Sequence, residues 1–65
     1  LPDYKVVTQI TEYLIVVKYN SGNCSFGLLF APDIPGTAQT FKFEAINTDD
    51  AIFQGVMKAK EKGFI

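Results

Sequence analysis

The chain contains no histidine, no arginine and no tryptophan, and its one cysteine is Cys24. Without histidine there is no Ser-His or Cys-His nucleophile pair and no imidazole metal ligand. One cysteine makes neither an internal disulfide nor a Cys-cluster zinc site. Arginine is the commonest base-reading side chain, and it is missing from a chain of net charge −1 and isoelectric point near 5. That balance opposes nucleic-acid binding, which normally needs a basic surplus. Long apolar runs are lacking too. Leu14–Val17 is only four residues, against the roughly 18 that span a bilayer. No basic start with an apolar run behind it follows Leu1-Pro2-Asp3, so no leader is expected. The expectation is a soluble, cytoplasmic protein with no membrane contact, no cofactor and no metal. The first residue is Leu1 rather than methionine, which suggests trimming or preceding residues.

What is present is apolar. Hydrophobic residues make up 48 % of 65 positions, six of them Phe and three Tyr, too many for a disordered chain. One domain, residues 1–65, is the limit at this length, near the smallest size that folds without staples. From Tyr4 to Tyr19 β-branched and aromatic residues favour strand. Tyr4, Val6, Thr8 and Ile10 share one parity, and Tyr13, Ile15, Val17 and Tyr19 the other. One extra residue must therefore be absorbed near Thr11-Glu12. With no Gly or Pro there to turn the chain, a bulge in one long strand is expected rather than two strands. Asn20-Ser21-Gly22-Asn23 reads as a hairpin loop. The return strand, about Cys24 to Ala31, places Cys24, Phe26, Leu28 and Phe30 on one face. Gly27 lies on the other, where something can approach the backbone closely. Pro32-Asp33-Ile34-Pro35-Gly36 interrupts regular structure. A further strand, about Gln39 to Ile46, points Phe41, Phe43 and Ala45 inward and Thr40, Lys42 and Glu44 outward.

Asn47-Thr48-Asp49-Asp50 opens a helix: Asn47 or Thr48 caps it, and the two acids oppose the positive end of its dipole. Lys58, Lys60 and Lys62 complement the other end, and Gly63 supplies a left-handed cap. Ile52, Val56 and Ala59 form a stripe that can cover the sheet. Gly55 weakens the helix by about 1 kcal/mol relative to Ala. Phe53 and Met57 form a second pair at the margin of that stripe. Phe64-Ile65 either tuck under the helix or start another strand. The fold expected is α+β: a three-stranded, possibly four-stranded, antiparallel sheet with one C-terminal helix packed on one face. Leu14, Val16 and Leu29 oppose the parity of their neighbours and are expected on the uncovered face. That implies oligomerisation or a partner.

The candidate constellations each have a plainer alternative. Asp33, Asp49 and Asp50 are the best set for a divalent ion, but turn and cap chemistry accounts for all three. Cys24 is expected as a buried, inert thiol beside Phe26. Phe26, Phe30, Phe41 and Phe43 suit a base-stacking platform, yet only Lys42 flanks them, and a core beneath the helix explains them better. Gly22, Gly27 and Gly36 do not have a phosphate-cradling spacing.

From Tyr13 to Lys60 the layout resembles the HicB antitoxin family. Tyr13–Tyr19 matches its first strand, Asn20–Asn23 its turn, and Pro32-Asp33-Ile34-Pro35-Gly36 its Pro-Asp-Leu-Pro-Gly type loop. Thr48-Asp49-Asp50-Ala51 approximates its helix start, with Asp where the family has Glu. The resemblance implies a partial ribonuclease-H-like β-β-β-α domain without catalysis, which binds a small toxin and oligomerises. A different class also fits: a small phage-type inhibitor that blocks a host or defence protein, such as a polymerase or nuclease, by occupying its surface. A nucleic-acid-binding module is a third, weaker alternative. The binding surface expected for a protein partner is the Asp33, Ile34, Pro35 and Gly36 loop together with the helix flank of Phe53, Met57 and Lys60. The chain is expected to be dimeric through a sheet edge or the uncovered sheet face.

Overall fold

The computed structural model describes residues 3–65; Leu1 and Pro2, part of the leader expectation, lie outside them. Four strands, β1 (Tyr4–Thr11), β2 (Leu14–Tyr19), β3 (Ser25–Phe30) and β4 (Gln39–Glu44), precede one helix, α1 (Thr48–Glu61). They form one antiparallel meander in the order β1-β2-β3-β4. The α+β class with a C-terminal helix on one sheet face is as expected, with the fourth strand at the N-terminal end. No helix among the described residues is long and apolar enough to cross a membrane.

The bulge expectation fails in an instructive way. Two strands meet at Glu12-Tyr13, and the irregularities lie inside β1, between Val6 and Thr8 and between Gln9 and Thr11. No non-glycine residue described has positive φ, so Glu12-Tyr13 turns without the left-handed residues of the common tight hairpins. A turn of ordinary handedness splays the strands it joins, and a bulge beside it restores twist. The Thr11 hydroxyl accepts from the Tyr13 N–H at 3.3 Å and steadies the corner. Both bulged positions, Val7 and Ile10, pack against the core.

The face assignment of β2 is also corrected. Leu14 pairs with Phe30 and Val16 with Leu28, and opposed residues share a face. Leu14, Val16, Phe26 and Leu28 are therefore the covered set, each at most 1 % exposed. Ile15 and Val17 take the open face instead, and Leu29, opposite Ile15, lies there as expected. On β4, Phe41 and Phe43 join the covered face as expected, opposite Leu28 and Phe26.

The helix buries Ala51, Gly55 and Ala59, while Ile52 and Val56 are only half-buried. A Cβ on Gly55 would stand 2.5 Å from Val16 Cγ2, so at this glycine helix and sheet come too close for a side chain. The helix starts on Asn47, whose Oδ1 accepts from the Asp50 N–H at 2.8 Å. Asp50 Oδ2 accepts in return from the Ile46 N–H at 3.1 Å and from Gln54 at 2.7 Å. At the other end Gly63 has φ +80°, the Gly63 N–H donates to the Lys60 carbonyl, and the Phe64 N–H donates to that of Ala59. This paired closure turns the chain back. Phe64 stacks on Phe30 with ring centroids 4.3 Å apart and lies 5.8 Å from Phe41. Of the two alternatives for the C-terminus, the tuck is the one adopted.

Propensity and packing make opposite predictions for Gly55→Ala. An exposed helix would gain about 1 kcal/mol; here the methyl group meets Val16, and overpacking of this kind costs about 1–3 kcal/mol. Urea titration should show net destabilisation. Val16→Ala in the same chain should remove part of that loss, a non-additivity expected of touching side chains.

Candidate interaction surfaces

The Asp33–Gly36 loop leaves the end of β3. Pro35 and Gly36 occupy the middle of a turn from Ile34 to Thr37, with Gly36 at φ +81° as such a turn requires. The Thr37 hydroxyl donates to the Ile34 carbonyl at 2.7 Å and the Thr37 N–H to the same oxygen at 3.3 Å. The turn is thus tied to itself and holds Ile34 outward, 65 % exposed. At its base the Tyr13 hydroxyl donates to Asp33 Oδ2 at 3.4 Å, and the Ala31 N–H donates to the Tyr13 carbonyl at 2.8 Å. Asp33 is thereby fixed against the β1–β2 corner.

Phe53, Met57 and Lys60 share one face of α1. Residues four and three apart are neighbours on a helix. With Ala51, Gly55 and Ala59 against the sheet, a rotation of 100° per residue aims Phe53, Met57 and Lys60 away from it. Phe53 is 65 % and Met57 53 % exposed. They stand on the outer surface of the helix, further round than the margin. The structure thus brings these three together and holds Asp33, Ile34, Pro35 and Gly36 in a separate turn. No hydrogen bond among the described residues joins that turn to the helix.

The open sheet face carries apolar residues, two of which, Ile15 and Val17, sequence parity misassigned. Ile15 and Leu29 lie there half-buried, Val17 lies there only 1 % exposed, and Tyr19 and Tyr4 form an edge-to-face pair, centroids 6.4 Å apart. The Tyr19 ring lies over Gly27, within 2.9 Å of where a Cβ would stand, so the expected close approach at Gly27 is made by Tyr19. Lys42 Nζ sits 4.8 Å from the centre of the same ring. Burial, with a smaller contribution from Tyr4, raises the Tyr19 phenol above its usual pKa. Beside it Asp3, Tyr19, Asn20, Ser21 and Lys42 line an open groove of about 450 Å³.

Cys24 is exposed, not buried beside Phe26. Strand β3 begins one residue later, and Cys24 ends the hairpin loop, its carbonyl accepting from the Ala45 N–H at 3.2 Å. Its side of the molecule forms a hollow of about 220 Å³ with Glu44, Ala45, Ile46, Asp50 and Gln54. Asp49 and Asp50 sit in the first helical turn, whereas Asp33 lies at the β1–β2 corner. Among the described residues no three His, Cys, Asp or Glu converge on a metal position. Phe26 is 1 % exposed and stacks on Phe43 at 6.2 Å, and Phe30, Phe41 and Phe43 pack half-buried against the core, so these rings belong to the covered face rather than to a base-stacking surface.

In comparison with known proteins the chain matches no family model, no curated protein and no solved structure.

Proposed function

We propose that the chain is a non-enzymatic protein-interaction domain of the HicB-antitoxin kind, acting in the cytoplasm by binding and masking a partner protein. The observation that carries this reading is the outer face of α1, where Phe53 and Met57 stand side by side, more than half exposed, with Lys60 one turn on. An aromatic and a flexible thioether beside a cation suit a recognition surface. The Asp33–Gly36 turn offers a second contact through Ile34. The order β2-β3-β4-α1, with the Pro-Asp-Ile-Pro-Gly turn between β3 and β4, supports the resemblance to HicB antitoxins. The positions of the acids support the absence of catalysis: Asp50 is engaged by Ile46 and Gln54, and Asp33 by Tyr13.

Two outcomes follow. Phe53→Ala should leave the thermal melting curve nearly unchanged, within about 0.5 kcal/mol, as for an ordinary surface change. It should weaken capture of a small basic toxin of the class that HicB proteins mask by at least about tenfold, because an anchoring aromatic often dominates binding. A large fall in melting temperature would assign Phe53 to the core, and undiminished capture would remove this face from the site. Purified protein with Mg²⁺ or Mn²⁺ should leave RNA and DNA intact. Metal-dependent cleavage that Asp33→Asn abolishes would overturn the non-enzymatic reading.

A further inference from the structure

The two edges of the sheet are unlike. β1 carries both bulges, and bulges spoil an edge for pairing with another strand. β4 pairs with β3 in unbroken register from Gln39 to Glu44 and, among the described residues, has no strand on its other side. The Ala45 N–H donates to Cys24 of the neighbouring segment. Hydrogen-bonding direction alternates along an antiparallel strand, so Phe41 and Phe43 also bond toward β3. Thr40, Lys42 and Glu44 therefore turn their N–H and C=O groups to the free edge.

We infer that this edge pairs with β4 of a second copy of the chain, antiparallel about a two-fold axis at Phe43. The inference takes the interaction-domain reading one step further and names one partner, on a surface distinct from the outer helix face. Registers centred on any residue of β4 keep the outward-facing groups opposed. Centring on Glu44 sets that acid against itself, and centring on Thr40 leaves both Lys42 and Glu44 without a counter-charge. Centring on Lys42 sets that cation against itself, and like charges directly opposite are unfavourable. Centring on Phe41 sets Lys42 against Thr40 and leaves Glu44 without a counter-charge. Centring on Phe43 sets Lys42 of each copy against Glu44 of the other, two opposite-charge pairs related by symmetry.

The packing agrees with that register. The main contacts of α1 fall on β1, β2 and β3, and Phe41 and Phe43 of β4 are only half-buried. Phe41 has Lys62 Nζ over its ring at 4.8 Å, and Phe43 stacks on Phe26 along one flank. The two-fold brings Phe43 against Phe43 of the second copy as a directly opposed pair, where side chains come closest. Ile46, 83 % exposed in the single chain, comes alongside Thr40 of the second copy. A two-fold edge contact uses the same strand twice and closes, whereas β1 on β4 would propagate as an open fibre.

The test is light scattering and sedimentation of the full chain from micromolar to millimolar concentration, with circular dichroism to follow folding. The expected particle has twice the 7.2 kDa chain mass. Lys42→Glu and Glu44→Lys should each raise the dissociation constant at least about tenfold, since each opposes like charges at both symmetry-related positions. The double swap Lys42→Glu/Glu44→Lys should restore the dimer by reversing both pairs. A parent chain that stays at 7.2 kDa at millimolar concentration overturns the inference. So does a dimer indifferent to both single changes, or a double variant that melts like the parent yet stays monomeric. A dimer lost only on Ile15→Asp belongs to the open sheet face and also overturns it. A monomeric chain that still captures a toxin through Phe53 leaves the interaction-domain reading standing.

Discussion

The close contact of α1 with the sheet at Gly55 governs the arrangement of everything else. Ala51, Gly55 and Ala59 bring the helix backbone down onto Val16, and no larger residue fits at the middle position. The bulk that fills the interface comes from the sheet: Leu14, Phe26 and Leu28, with Phe64 folded in from beyond the helix. Burying side chains of that size contributes about 1.5–3 kcal/mol each. Once the small stripe faces inward, helical geometry leaves Phe53, Met57 and Lys60 facing outward. The same contact chooses the covered face of the sheet and leaves Ile15, Val17 and Leu29 on the other.

Much of this was legible in the residues. The Asn20–Asn23 turn, the Phe41 and Phe43 face of β4, the Asn47 cap and the Gly63 closure each follow from local chemistry, and each is found. What was not legible depends on relations between segments. Within β2 both parities are apolar, Leu14 and Val16 on one and Ile15 and Val17 on the other, so alternation alone cannot decide which pair is covered. The hairpin register decides it, by setting Val16 against Leu28. Counting from the pairs that the Asn20–Cys24 connection allows would have exposed the error. The Glu12-Tyr13 corner escaped because it uses no residue that marks a turn, and its twist is recovered by bulges inside β1.

The candidate surfaces divide along the same line. The Asp33–Gly36 turn was readable because Pro35 favours its backbone and Gly36 is required by it. That Phe53 and Met57 adjoin was readable from their spacing; that they point directly outward was not, because Gly55 looked like a weakness rather than the contact point. The free edge of β4 was hidden for a different reason. Which N–H groups face outward is a property of the pairing with β3, and no side chain announces it. Cys24 shows the cost of a boundary displaced by one residue, since starting β3 at Ser25 moves the thiol from the core to the surface.

A chain of this size is short of buried apolar area, because a domain near 60 residues covers only about 60 % of the surface its unfolded chain exposes. Stability alone would therefore favour turning the largest helical side chains inward. The helix does the reverse. Its inward stripe is Ala, Gly and Ala, while Phe53 and Met57 stand in solvent. The small stripe has a structural reason, the approach to Val16. The exposed pair has none within the single chain: Phe53 and Met57 lie on the side of the helix away from the core. Single exposed apolar residues are ordinary on protein surfaces. Two adjacent ones on one face, beside a lysine and on a rigid element, form a continuous exposed apolar patch. The fold thus divides its apolar side chains: the sheet supplies the bulk of the core, and the outer helix face keeps Phe53 and Met57 exposed.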